Sequence, residues 1–580
     1  MTSAALPGLR DGLLRPELHM GVVSAVSASH ARVTLSAAGA PSGSHFEARR
    51  YGRGEVGEFV LIEGQLNLVL GRLIEVRLPE AERRTFAVDR QDSDGPDVVG
   101  TVQFLGAVRA DTLRVSAGVA TYPRLGDRVY AAPHAFVGHI PRLLDADGSQ
   151  PTPLTLNLGF VSGTSDAEVW ARPEKLFGRH CAVLGATGGG KSWTVARLIE
   201  ECSKHNAKVI LLDATGEYRT LPNATTLHFH LGTPPKLAPG STACSLPPSS
   251  FQESDFIALF EPSGKVQGPR FREAIRSLRL ARLEPSLAQS NGLILKAQQK
   301  KKLITDALVK HARAVEAPDT GFDVTLLDKQ LFEECVFPEG FNKPPDSWGG
   351  YADGDKGYCL GLATRISAIV TASSFAPIFG GAGEPLTKHI GAFLDQGDKR
   401  VLRLCLGGVS YEYRAREFIV NAIGRFLLTE ARTGRFQREP TLVFVDEAHN
   451  FLGRSVGSED SVVRLDAFEL IAREGRKYGL NLCLATQRPR DLTEGVLSQI
   501  GTLIVHRLTN DRDRDVVERA CGEIDRAASA FLANLRAGEA AIIGVDFPIP
   551  LTVQLLPPTA PPASDGPDYQ KAWGTKAPIC

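Results

Sequence analysis

At 580 residues the chain is too long for one hydrophobic core, because cores stop growing at roughly 250 to 300 residues, so several structural units are expected. Hydrophobic residues make up 43% and charged residues 23%, an ordinary globular balance that excludes wholesale disorder. Sixty-six Lys and Arg offset 66 Asp and Glu, which excludes a global basic footprint and leaves nucleic acid to be met by a local patch, such as the channel of a ring.

The N-terminal stretch MTSAALPGLRDGLLRPELHM lacks the unbroken apolar run of a signal peptide, and no later run approaches the roughly 18 residues of a membrane span. From Met20 to Leu125 short alternating segments (GVVSAVSASHARVTLSA, GEFVLIEG, NLVLGRLIEVRL, DVVGTVQFLGAV) are broken by Gly, Ser and Asp, which predicts a small antiparallel β-barrel. Arg179 to Asp213 then reads as buried strand (CAVLG), glycine loop (GATGGGKS), helix and second strand (AKVILLD), the β-loop-α-β unit of a parallel sheet. A turn-rich stretch and a long helical region to about Phe379 interrupt the sheet. It resumes with RVLRLCLGG, TLVFVDEA, LNLCLATQ and TLIVHRL. The pair AAIIGVDF and LTVQLL precedes a Pro- and Ala-rich tail expected to be exposed and to bind a partner. The nine cysteines stand singly with no C-x-x-C pair, which argues against a zinc module or a disulfide framework and predicts a reducing cytoplasm. The domains expected are 1–150 (barrel and linker), 151–250 and 386–535 (two parts of an ATPase core), 251–385 (helical insertion) and 536–580 (last strands and tail).

Gly185, Ala186, Thr187, Gly188, Gly189, Gly190, Lys191 and Ser192 satisfy G-x-x-x-x-G-K-[ST] between a predicted strand and helix, with Trp193 next in line. Backbone N–H groups and the helix N-terminus wrap phosphates in such a loop; Lys191 would reach the β and γ phosphates of ATP and Ser192 would hold Mg2+. Asp446 and Glu447 end an apolar strand. One carboxylate suits the hydrated magnesium and the next suits the attacking water, a second acid that a kinase would not need. An acidic pair after a buried strand can also be simple solvation of the strand end. Thr486 and Gln487 lie at the tip of the next buried strand, where α/β sheets place ligands, and Gln487 is read as a γ-phosphate sensor or as a loop hydrogen-bond partner.

Arg473, Arg476 and Lys477 fall between the acidic pair and that strand tip. An arginine donated by a neighbouring subunit speeds hydrolysis by about 10³ to 10⁵. Arg476 is the favoured candidate and Arg179 another, against the alternative of ordinary solvated charges. Lys300 to Lys302 read first as the wet face of a helix and second as phosphate contacts. The loop FLGRSVGSEDS after Asn450 is a candidate channel loop. His449 has no His or Cys at metal spacing and is taken as a coupling or packing residue.

Together, RHCAVLGATGGGKSWTVARL, DATGEY, FVDEAHNF, AREGRKYGLNLCLATQRP and VHRLTNDRD resemble the HerA family within the HerA/FtsK superfamily, along almost the whole chain. The resemblance implies a RecA-like α/β core with a helical-bundle insertion after a barrel like that of rotary ATP synthases. It implies a homohexamer threading double-stranded DNA, Asp446 and Glu447 in the Walker B role, Gln487 as sensor and a trans-acting arginine near Arg476. The family often reads Asp-Pro-His-Gly-Glu-Tyr where this chain has Asp213, Ala214, Thr215, Gly216, Glu217 and Tyr218, which leaves that loop's role open. Similar proteins work with a separate effector, a nuclease in end resection or a nuclease or sirtuin-like NAD-degrading enzyme in antiphage defence. A DNA translocase or helicase is the leading expectation, an ATP-gated scaffold for such an effector the second, and a small-molecule kinase is disfavoured by Glu447.

Overall fold

The computed structural model describes residues 12–36, 44–46, 49–52, 54–78, 98–144, 154–164, 166–317, 320–339, 346–379, 383–452, 455–456, 463–520, 531–563 and 569–574. The chain forms two compact units, Met1–Glu201 with Ile500–Pro557, and Cys202–Gln499 with Pro558–Cys580.

The first unit opens with the expected barrel. Strands His30–Leu35, His19–Val26, Arg128–Ala131, Phe59–Ile62, Leu68–Arg77 and Val98–Val108 follow one another in the sheet, and the last pairs back onto the first. Closure leaves no edge among these six strands. The alternation read in the sequence is the inward face, where Val23, Val33, Val60, Val102 and Val129 form one buried cluster. The same unit holds a mixed sheet in the order Glu168–Ala171, Leu156–Val161, Phe547–Leu555, Glu539–Gly544, Thr502–Val505, Cys181–Leu184. Cys181–Leu184 is buried throughout and runs parallel to Thr502–Val505, with Leu184 opposite Val505. A strand covered on both faces needs apolar residues at every position, hence CAVL rather than an alternation.

The second unit is built on a parallel sheet in the order Leu480–Thr486, Thr441–Val445, Lys208–Asp213, Val401–Gly408, Thr226–Gly232, Thr242–Ala243. Its helical insertion includes Glu253–Phe260, Gly264–Leu283, Lys301–Lys310, Leu327–Glu333 and Asp353–Thr371, and the helix Leu386–Asp395 follows it before the sheet resumes. Stacked aromatic rings tie it down, with Phe251 4.2 Å from Phe418. The helix Lys301–Lys310 buries only Ile304 and Ala307, so Lys302 lies on a wet face as the sequence pattern suggests. Part of the tail docks. The Ala563 N–H donates to the Glu217 carbonyl at 2.8 Å, and the Thr220 hydroxyl donates to the Pro561 carbonyl at 2.7 Å. A short helix, Tyr569–Gly574, exposes Tyr569 and Trp573. Among the described residues no helix is long and apolar enough to cross a membrane.

Candidate nucleotide site

In the first unit the motif occupies the turn between Cys181–Leu184 and the helix Lys191–Ser203. Gly185 and Gly190 adopt φ of 158° and 109°. A Cβ at Gly185 would lie 2.5 Å from the Cβ of His506, so glycine is needed there for space as well as conformation. The loop is held by its own backbone: Ala186 N–H donates to the Arg507 carbonyl at 3.2 Å and Gly189 N–H to the Ala186 carbonyl at 3.1 Å. Lys191 is the first residue of the helix and donates through Nζ to the Ala186 carbonyl at 3.1 Å. Ser192 is half-buried beside it, and Thr187, Gly188 and Trp193 are exposed. A helix start beneath a glycine loop is the general form of an anion cradle.

Sequence reasoning missed what lies beneath this loop. His506 follows the strand Thr502–Val505 and is fully buried; its N–H donates to the Leu184 carbonyl at 2.7 Å. Its Nε2 is 2.8 Å from the Thr194 hydroxyl and its Nδ1 is 2.8 Å from the Glu539 carbonyl. Burial, and secondarily Lys191, pushes its pKa down to about 4.

In the second unit Asp446 and Glu447 follow Thr441–Val445, as the sequence predicts. Asp446 is buried and its pKa is pushed well above the usual carboxylate range, first by burial and then by Asp213, Glu447 and Glu217. Glu447 takes a left-handed backbone conformation, φ 47°, uncommon for a residue with a side chain. His449 Nδ1 lies 3.3 Å from Glu447 Oε2 and 3.1 Å from the Thr486 hydroxyl, so it links the acidic strand end to the polar tip of Leu480–Thr486. Gln487 is half-buried one residue beyond that tip.

The Asp213 loop is fixed by a buried ion pair. Arg403 Nε and Nη2 both lie 2.7 Å from Asp213 Oδ2, with side-chain exposures of 1% and 0%. The carboxylate also accepts N–H groups of Gly216 at 2.7 Å and Tyr218 at 3.1 Å. A lone arginine in the apolar run VLRLCLGG was the available signal, since a charge inside a buried strand must be paired.

Of the arginine candidates, Arg473 is exposed and ion-paired with Glu469, and Arg179 is 3.3 Å from Asp546. Arg476 is exposed on the one-turn helix Gly475–Tyr478 and has no ion-pair partner among the described residues. The candidate channel loop, residues 451–461, falls partly on 453–454 and 457–461, outside the described residues; Ser455–Val456 pairs with Val463–Arg464.

The family model described as "Helicase HerA, central domain" matches residues 156–320. A probable DNA double-strand break repair helicase HerA of Methanocaldococcus jannaschii is 25% identical over 423 residues, 70% of this chain and 76% of that protein. The DNA double-strand break repair helicase HerA of Pyrococcus furiosus is 40% identical over 116 residues, 20% of each chain. Among solved structures, VirB4 of Thermoanaerobacter pseudethanolicus aligns over 71% of this chain and 97% of its own, at 14% identity and a TM-score of 0.42.

Proposed function

We propose that the chain is a P-loop ATPase of the HerA type that couples ATP hydrolysis to movement along, or opening of, double-stranded DNA, working in the cytoplasm as a homohexameric ring. Lys191 and the N–H groups of residues 185–193 bind the phosphates. Glu447 orients and deprotonates the attacking water, Gln487 senses the γ-phosphate, and Arg476 of a neighbouring subunit neutralises charge on the transferred phosphoryl group, with Arg473 and Arg179 the less favoured fingers.

The observation that carries this reading is the acidic strand end. Burial and the neighbouring Asp213, Glu447 and Glu217 push the Asp446 pKa well above the usual carboxylate range, which disfavours its charged form, and a divalent cation would relieve that penalty. Among the described residues no three His, Cys, Asp or Glu side chains form a metal cage by themselves. Magnesium asks for none, since it is held by one or two protein oxygens with phosphates and water. Ser192 and Asp446 would be those ligands, and the ion would offset charge developing on the phosphate oxygens.

The test is a purified protein assayed for ATP hydrolysis with and without duplex DNA and for displacement of a protein bound to that duplex. Stimulation by DNA and roadblock displacement, both lost in Lys191→Ala, are expected. Hydrolysis that neither responds to duplex DNA nor displaces anything refutes the motor.

A second reading is favoured by the exposed Tyr569 and Trp573. In it the ring is an ATP-gated scaffold that holds an effector, a nuclease or an NAD-degrading enzyme, by its tail. Removal of residues 564–580 then abolishes co-purification of the effector while ATPase activity persists.

A further inference from the structure

We propose that His506 is a positioning residue for nucleotide binding, a neutral brace that holds the phosphate loop in its binding shape through Thr194 and the Glu539 carbonyl. This rests on the reading of the chain as an ATPase and adds a residue that the motif does not contain.

The hydrogen bonds decide the form of the ring. The Glu539 carbonyl can only accept, so the proton of a neutral imidazole sits on Nδ1 and is donated there, at 2.8 Å. Nε2 is then an acceptor facing the Thr194 hydroxyl, 2.8 Å away, whose single proton is shared between this nitrogen and the Gly190 carbonyl. Thr194 is on the first turn of the motif's helix, and its hydroxyl also lies 3.1 Å from the Gly190 carbonyl. The ring therefore joins the helix start to the strand Glu539–Gly544. Both anchors are firm. The buried Glu539 carboxylate accepts the Ser162 hydroxyl at 2.7 Å and the Arg536 N–H at 2.8 Å, and the His506 backbone is bonded to Leu184.

The same side chain fills the space under the loop. Cβ atoms built at Gly185, Gly189 and Gly190 would meet His506 at 2.5, 3.3 and 3.2 Å. A loop with this many glycines has many conformations available, and only some aim its N–H groups at a phosphate. Filling the space beneath it removes the collapsed alternatives before nucleotide arrives, which is preorganisation and raises affinity without touching the ligand. The effect belongs in binding more than in the chemical step.

The experiment uses the full chain with Mg2+, a fluorescent ADP for equilibrium affinity, steady-state ATPase for KM and kcat, and thermal melts. Thr194→Val keeps the shape and removes the hydroxyl; His506→Asn keeps a donor for Glu539 but does not reach Thr194. Each is expected to weaken ADP binding about ten-fold, the order that one lost hydrogen bond carries, and to leave kcat within about three-fold. The double variant should be no weaker than the worse single, because both cut one bond. His506→Gln, whose amide oxygen can take the place of Nε2, should recover most of the affinity. Singles that bind ADP as the wild type does, or effects that multiply to about a hundred-fold in the double, overturn the proposal. So does a fall in melting temperature with unchanged affinity, which would make His506 a core residue only. If His506→Asn fails to fold, Thr194→Val with His506→Gln decides between the same outcomes. Absence of nucleotide binding in the wild type, or its persistence in Lys191→Ala, would instead count against the ATPase reading itself.

Discussion

Replacing Arg403 with Met should loosen the Asp213 loop by an amount that the structure bounds. The pair is dry, 1% and 0% exposed, and Asp213 Oδ2 faces two guanidinium nitrogens at 2.7 Å. Removing one partner of a buried pair costs about 3 to 5 kcal/mol, because the other charge stays buried. Asp213 keeps its bonds from the Gly216 and Tyr218 N–H groups, which places the loss near the lower end, about 3 kcal/mol. Restoring neutrality with Asp213→Asn alongside Arg403→Met should return the larger part, since an amide oxygen still accepts those N–H groups. With two compact units a single unfolding energy is poorly defined, so amide hydrogen exchange at Gly216 and Tyr218 is the better assay. At about 1.4 kcal/mol per decade, protection there should fall by about a hundred-fold in the single variant. Protection within about three-fold of wild type in Arg403→Met, or a double variant as damaged as the single, would refute the argument.

Glu447→Gln should still bind ATP while hydrolysis falls by about 10² to 10⁴, the range of a lost general base, as read by single-turnover assay; an equal loss of binding would place Glu447 in nucleotide binding instead. Arg476→Ala subunits mixed with Lys191→Ala subunits should regain activity that neither has alone, because each defect lies on a different side of a shared interface; mixtures as inactive as their parents reject the trans assignment. His506 predicts acid lability. Its folded pKa, about 4, is below the ordinary 6.5, so the unfolded chain takes up the proton first. Stability is intact above about pH 6.5 and is lost as pH falls toward 4, by up to about 3 kcal/mol. Melting temperature against pH for the wild type and His506→Asn measures this, and curves that run parallel between pH 7 and 4 would remove His506 as the cause.

What the sequence disclosed was local. The barrel alternation, the GATGGGKS turn and the apolar strand ending at Asp446 each declare themselves within a dozen or so residues, because spacing alone gives their periodicity or motif. The contacts that set the geometry of these motifs were not local. Arg403 reaches Asp213 across 190 positions, and His506 reaches Thr194 across 312. Arg403 left a trace, a charge in a run with no room for one. His506 left none: VHRL reads as the polar end of a strand until Thr502–Val505 is known to lie beside Cys181–Leu184.

That adjacency also explains the composition of the loop more sharply than its consensus does. G-x-x-x-x-G-K-[ST] leaves positions 186–189 free, yet this chain places three glycines in a row before Lys191. Gly188 meets nothing within 4 Å but has φ 76°; Gly189 has an ordinary φ but would bring a Cβ 3.1 Å from the Ala186 carbonyl and 3.3 Å from His506. Gly190 is constrained both ways, by φ 109° and by His506 Cε1 at 3.2 Å. One glycine answers to backbone conformation, one to space, and one to both. Only Gly190 meets the imidazole ring itself, because the atom nearest Gly189 is the Ala186 carbonyl and the next is the His506 Cβ, which every residue but glycine carries; a smaller residue at 506 would therefore relieve the ring contact at 190, still held to glycine by its φ, and leave 189 as crowded as before.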